Sequence, residues 1–198
     1  MRKPRNEGAA RPSRPVGAGA VITVRDLCSS ATRGYVQFGW LALPCALGRS
    51  GLKARKVEGD GATPRGSWRP LRVLYRADRV RRPRTGLPVR AIRPDDGWCD
   101  HVSDRNYNRS VRHPYAASAE HLWRRDDLYD IVVVLDHNVM PRIQGHGSCI
   151  FMHIARPDLA PTAGCIALAR SNLLRLLESR IPIQAIDTRP QRTRRGLR

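Results

Sequence analysis

Short apolar or alternating runs separated by clusters of turn residues recur along the chain. They are VITVRDL from Val21, GYVQFGWLALPCAL from Gly34, SWRPLRVLYR from Ser67, YDIVVVLDHN from Tyr129, SCIFMHIA from Ser148, CIALA from Cys165 and IPIQAID from Ile181. Runs of this length, rich in Val, Ile, Tyr and Phe and bounded by Gly, Pro, Asn and Asp, form strands rather than helices. Helical signals are sparse. ASAEHLWRR, from Ala117, is expected to make a short helix, and SNLLRLLESR carries Leu173, Leu174, Leu176 and Leu177 at helical spacing behind Ser171 or Asn172 as a cap. The expectation is a mainly β protein with one or two short helices. The segment from Val80 to Tyr115, dense in Pro, Asp, Asn and Arg, reads as a long ordered loop or insertion of the kind that shapes a binding cleft.

A chain of 198 residues fits one domain with a core of its own. Residues 1–20 and 189–198 are basic and lack hydrophobic period, so they are expected to be a flexible arm and a basic tail around a domain spanning 21–188. No apolar run is long enough to cross a bilayer as a helix, and the N-terminus has no continuous apolar stretch of the kind an export signal carries. Lys and Arg number 36 against 17 Asp and Glu, a formal charge of +19, and only Lys3, Lys53 and Lys56 are lysines. Such a balance favours anionic partners: nucleic acid, an acidic cell-wall polymer or an anionic membrane surface. The arginine excess is equally consistent with genome composition. Five cysteines, an odd number without a CxxC pair, are expected to be mostly buried thiols with one reactive member, not a disulfide framework.

HIARPDLAPTAGCIAL, from His153, joins a histidine and a cysteine across a Pro- and Gly-containing loop. On a strand, Ile150, Met152 and Ile154 face the core while Cys149, Phe151 and His153 take the other face. If Cys165 opens a neighbouring strand, the two side chains come within reach, and the histidine activates the thiol as a nucleophile. The competing reading is a buried inert thiol and an unrelated imidazole. Gly164 favours chemistry, because a glycine before the nucleophile lets a carbonyl approach the backbone and leaves amides to stabilise an oxyanion. Zinc is disfavoured: on a strand Cys149 and His153 lie about 13 Å apart, too far to share an ion. EGDGATPRG, from Glu58, lacks the full glycine pattern of a dinucleotide loop and the Lys-Ser/Thr of a P-loop, so it reads as a turn on Gly59, Gly61 and Gly66.

Taken together, His153, Thr162-Ala163-Gly164-Cys165 and Ile166 resemble the histidine and [S/T]-x-G-C signature of L,D-transpeptidase catalytic domains of the YkuD type. The Thr63-Pro64-Arg65-Gly66 loop, PCALGRSG, RPDDGWCD and the Tyr107-Asn108 pair are similar to those of its small stand-alone branch, over about residues 44 to 187. Ala163 stands where members commonly carry a second histidine, and the interval from His153 to Cys165 is shorter than in the larger subgroup.

The resemblance implies a YkuD-like β-sandwich in which Cys165 attacks a peptidoglycan stem peptide, His153 is the general base, and the amides of Gly164 and Cys165 hold the oxyanion, with no metal or organic cofactor. Thr162 belongs to the same substrate loop. Arg156 and Arg170 flank the site and would meet a substrate carboxylate, although solvated surface arginines are the commoner outcome. The thioester would pass to an amine, in cross-linking, or to a D-amino acid or water, in exchange or L,D-carboxypeptidase trimming. The family places such enzymes in the periplasm or cell envelope; the sequence itself leaves a cytoplasmic location open. A different class remains as rival: a basic module binding nucleic acid non-specifically, with salt-sensitive affinity and an unreactive Cys165, for which aromatic interleaving and a recognition helix are lacking.

Overall fold

A computed structural model of the chain describes residues 19–28 and 31–190; most of the expected N-terminal arm and of the basic tail lie outside the described residues. The elements, in chain order, are β1 (Ala20–Asp26), β2 (Arg33–Phe38), β3 (Leu41–Ala46), β4 (Leu52–Lys53), β5 (Thr63–Pro64), β6 (Ser67–Trp68), β7 (Pro70–Tyr75), β8 (Val89–Ala91), β9 (Asp96–Cys99), β10 (Ser110–Arg112), β11 (Ala119–His121), β12 (Ile131–Leu135), β13 (Phe151–Ile154), β14 (Ile166–Leu168), α1 (Arg170–Leu177) and β15 (Ile183–Asp187). The protein is mainly β, as the apolar runs require.

Ten strands form one sheet in the order β6-β15-β1-β2-β3-β14-β13-β12-β7-β8. β6 lies at one end of that order and β7 next to the other, yet only Arg69 separates them in sequence. The sheet must therefore curl until its ends approach, which gives the sandwich-like form. β2 and β3 make a hairpin around Gly39, whose φ of 58° suits glycine.

Alternation along the central strands divides the interior in two. Ile131, Val133 and Leu135 of β12, with Ile150, Met152 and Ile154 of the β13 segment, face the main core, where α1 inserts Leu173, Leu176 and Leu177. Val132, Val134 and Phe151 point the other way into a second cluster with Trp98 and Leu122. A three-stranded sheet, β10-β9-β11, contributes this cover. With both of its faces covered, β12 is buried throughout and reads as a continuous apolar run rather than an alternating one.

Three local expectations are corrected. ASAEHLWRR forms β11 and a bend, not a helix, because Ala119–His121 pair with Gly97–Cys99 of β9 and this cross-strand bonding overrides local propensity. α1 is capped at Ala169 without a side-chain bond, so neither Ser171 nor Asn172 is the cap; both lie inside the helix. The Val80–Tyr115 segment is not one long loop, since it carries β8, β9 and β10.

Candidate active site

The second interior cluster is open on one side. A cavity of about 460 Å³ lies between the main sheet and the small one, and Cys149, His153 and Cys165 all line it. Their placement follows from strand pairing. β13 and β14 run parallel with Met152 opposite Ile166 and His153 opposite Ala167. Continuing that register by one residue sets Cys165 level with Phe151, one strand across and two residues back from His153. At ordinary strand spacings the two Cα atoms are then about 8 Å apart, within reach of a thiol and an imidazole.

Both groups are nearly enclosed, Cys165 at 7% exposure and His153 at 6%. Burial, reinforced by the negative charge of Glu120, pushes the Cys165 thiol up to about 12, while the Phe151 amide and Lys56 pull the other way. Burial lowers His153 to about 4, against the opposing pull of the Ile154 carbonyl. The resting pair is thus thiol and neutral imidazole rather than thiolate and imidazolium. The thiol donates to the Cys149 carbonyl at 3.1 Å. His153 Nδ1 lies 2.8 Å from the Ile154 carbonyl oxygen. A carbonyl only accepts, so Nδ1 carries the proton and the Nε2 lone pair is left as a base. Tyr129 stacks edge-on against the ring at 5.1 Å between centroids.

The loop before Cys165 is held by its threonines. Thr162 Oγ1 donates to the Cys165 carbonyl at 2.7 Å and accepts the Gly164 amide at 3.1 Å. Thr63 of β5 also donates to the Cys165 carbonyl, at 3.3 Å, and accepts the Gly48 amide at 2.8 Å. Gly164 has φ 144°, and a Cβ there would stand 2.8 Å from the Ala62 carbonyl oxygen, so this approach of two chain segments requires glycine. The Gly164 amide is occupied by Thr162, so it would reach an oxyanion only by leaving that hydroxyl. Arg156 lines the cavity. Arg170 is not brought there: it bonds Asp130 at 2.7 Å and ties the start of α1 to the base of β12.

A model of the L,D-transpeptidase catalytic domain, YkuD, matches residues 33–179. The chain belongs to this family. No curated protein and no solved structure matched the chain.

In this L,D-transpeptidase-family domain, several residues that line or support the cavity had no part assigned to them from the sequence, although the Tyr107-Asn108 pair and Cys149 were singled out there. Glu120 comes from β11 and accepts the Tyr129 hydroxyl at 2.7 Å; burial raises its carboxyl. Cys149 adopts φ 54°, a left-handed conformation uncommon for cysteine, and this backbone presents its carbonyl to the Cys165 thiol. Asn108, itself at φ 55°, holds that turn: its Oδ1 accepts the Cys149 amide at 3.2 Å and the Trp98 indole at 2.9 Å. Lys56, 7% exposed, bonds Asp60 at 2.5 Å beside the site. Glu120 and Lys56 stand singly in separate segments, with no spacing that marks them beforehand.

Proposed function

We propose that the protein is a cysteine-dependent peptidoglycan L,D-transpeptidase that acts on stem peptides in the cell envelope. The observation that carries the reading is the shared cavity of His153 and Cys165, with the ring's Nδ1 proton committed to a carbonyl and Nε2 free to accept. The Cys165 sulfur would lose its proton to Nε2 as it attacks the stem carbonyl. The C–S bond forms, the imidazolium gives the proton to the departing D-amino acid, and a thioester remains. The Cys165 amide is the remaining oxyanion donor on the nucleophile itself, and Arg156 is suited to a substrate carboxylate. Gly164 and Thr162 shape the loop that presents the sulfur. The nucleophile and base call for no metal or organic cofactor. Transfer to an amine, to a D-amino acid or to water would share this thioester.

The test is intact-protein mass spectrometry after incubation with a tetrapeptide stem. The expected result is an adduct of the tripeptide acyl group on the wild-type chain and none on Cys165→Ala. Turnover by Cys165→Ala at the wild-type rate would overturn the assignment.

A further inference from the structure

The space between the main sheet and the small one opens a second time, in a crevice of about 430 Å³ that shares no lining residue with the active cavity. Its walls come from β7 and β8 on one side and from β9 and β10 on the other. In the main sheet, β7 lies three strands from β14, which Cys165 precedes. Four arginines meet in the crevice: Arg72 of β7, Arg90 of β8, Arg93 just after it and Arg112 of β10. Acids neutralise two of them. Arg90 bonds Asp96 at 2.8 Å, and Arg112 bonds Asp95. Asp96 also accepts the Arg93 amide at 2.8 Å, but the guanidinium groups of Arg72 and Arg93 have no acceptor among the described residues.

Arg72 is not an ordinary surface arginine. It stands opposite Val134, so its side chain leaves the sheet on the side of the second apolar cluster, where it is half-buried. Its guanidinium lies 5.6 Å from the centre of the Trp98 ring. Burial, and then the charge of Arg90, hold it below the usual arginine range, and no bonded acid opposes them. Its nitrogens are nevertheless not sealed from solvent, so a ligand can reach them. Charged side chains on edge strands deter pairing with another sheet. That accounts for Arg90 and Arg112, on the edge strands β8 and β10, but not for Arg72, whose strand has neighbours on both sides. A cation held partly out of water beside a second cation costs stability, and an anion seated between them would offset the cost.

We propose that Arg72 and Arg93 form a binding site for a phosphate group in the crevice between the two sheets. A phosphate monoester carries about two negative charges at neutral pH and three terminal oxygens, which suits two uncommitted guanidinium groups. A carboxylate would leave one of them uncompensated. Ser110 lines the same crevice and offers a hydroxyl donor. The ligand is a soluble phosphate ester or the headgroup of a phosphate-bearing lipid, drawn in by the cationic field of the whole molecule. The site does not depend on the chemistry at Cys165, and a ligand held there leaves the lining of the active cavity untouched.

Calorimetric titration of the full chain with inorganic phosphate, at neutral pH and constant ionic strength, tests the site. Acetate serves as the carboxylate control, and Arg180→Gln, at an exposed arginine just beyond α1, as the control for net charge. The expected result is saturable phosphate binding, weakened about tenfold or more in Arg72→Gln and in Arg93→Gln and kept at wild-type strength in Arg180→Gln. Phosphate should also raise the unfolding midpoint of the wild-type protein and not that of Arg72→Gln, a linkage effect that a purely structural arginine would not produce. Arg93 is exposed, so Arg93→Gln carries the test even if Arg72→Gln folds poorly. Glycerol phosphate and vesicles containing phosphatidic acid, each competed against inorganic phosphate, separate a soluble ester from a lipid headgroup, and displacement of either supports the site. Absence of saturable binding, acetate binding as tightly as phosphate, or equal weakening in Arg180→Gln overturns it.

Discussion

A thiol near 12 beside an imidazole near 4 describes a nucleophile that does not ionise until something else arrives. Cysteine sites that hold a ready thiolate do so with a nearby cation or helix terminus. Here burial acts first and Glu120 adds to it, with Lys56 as the opposing charge. Alkylation of Cys165 by iodoacetamide in the free protein should therefore climb about tenfold per pH unit from pH 7 to 10, as the thiolate fraction does. A rate that levels off below pH 7 would show a preformed ion pair and contradict this electrostatic account. The Cys149 carbonyl accepts the hydrogen bond that parks the Cys165 thiol, so the left-handed backbone of Cys149 belongs to the nucleophile's resting geometry.

Between residue and molecule stand the segments that hold the two reacting groups at their spacing. β13 and β14 set the distance by parallel register, and the two threonines clamp the carbonyl of Cys165 from either side. Asn108 performs the corresponding task for Cys149 while also bonding the His137 and Asn138 carbonyls, at 3.1 and 2.8 Å. Asn108→Ala would orphan two buried donors and two acceptors, and should lower unfolding stability by about 2–4 kcal/mol in a denaturant titration. A change within a few tenths of a kcal/mol would mean that water replaces the amide and that the turn supports itself. Arg170 illustrates the opposite outcome: chain proximity to the nucleophile suggested substrate contact, but the helix orientation gives its guanidinium to the nearly enclosed Asp130 carboxylate.

Across the whole molecule, buried neutral groups give stability a pH dependence of known sign. His153 falls from 6.5 to about 4 in the folded state, so the unfolded chain binds the proton first as pH drops; the contribution present above pH 6.5 is lost on descent towards 4. Cys165 rises from 9 to about 12, and its contribution, complete below pH 9, is lost as pH increases towards 12. In urea titrations the wild-type protein should lose about 3 kcal/mol relative to His153→Gln between pH 6.5 and 4. Parallel pH profiles for the two proteins would show that His153 titrates normally. The arginine excess is used partly within the fold: Arg76 lies 3.6 Å over the Trp123 ring, and other guanidinium groups pair with acids, so net charge overstates the number of cations offered to a partner.

Strand runs, the Leu-rich helix and the two faces of the His153 segment were legible because period-two and helical spacing are properties of neighbouring residues. The family signature was legible for a related reason: its histidine, glycine and cysteine lie within one short stretch. The β11 segment was misread because its pairing with β9 is a non-local bond that local propensity does not contain. That both faces of the central sheet are covered, that the thiol rests on a carbonyl rather than on the imidazole, and that Glu120 and Asp100 come to the same cavity were all decided by tertiary structure. Burial and electrostatic pairing depend on which segments fold against one another, and no interval along the chain encodes that distance.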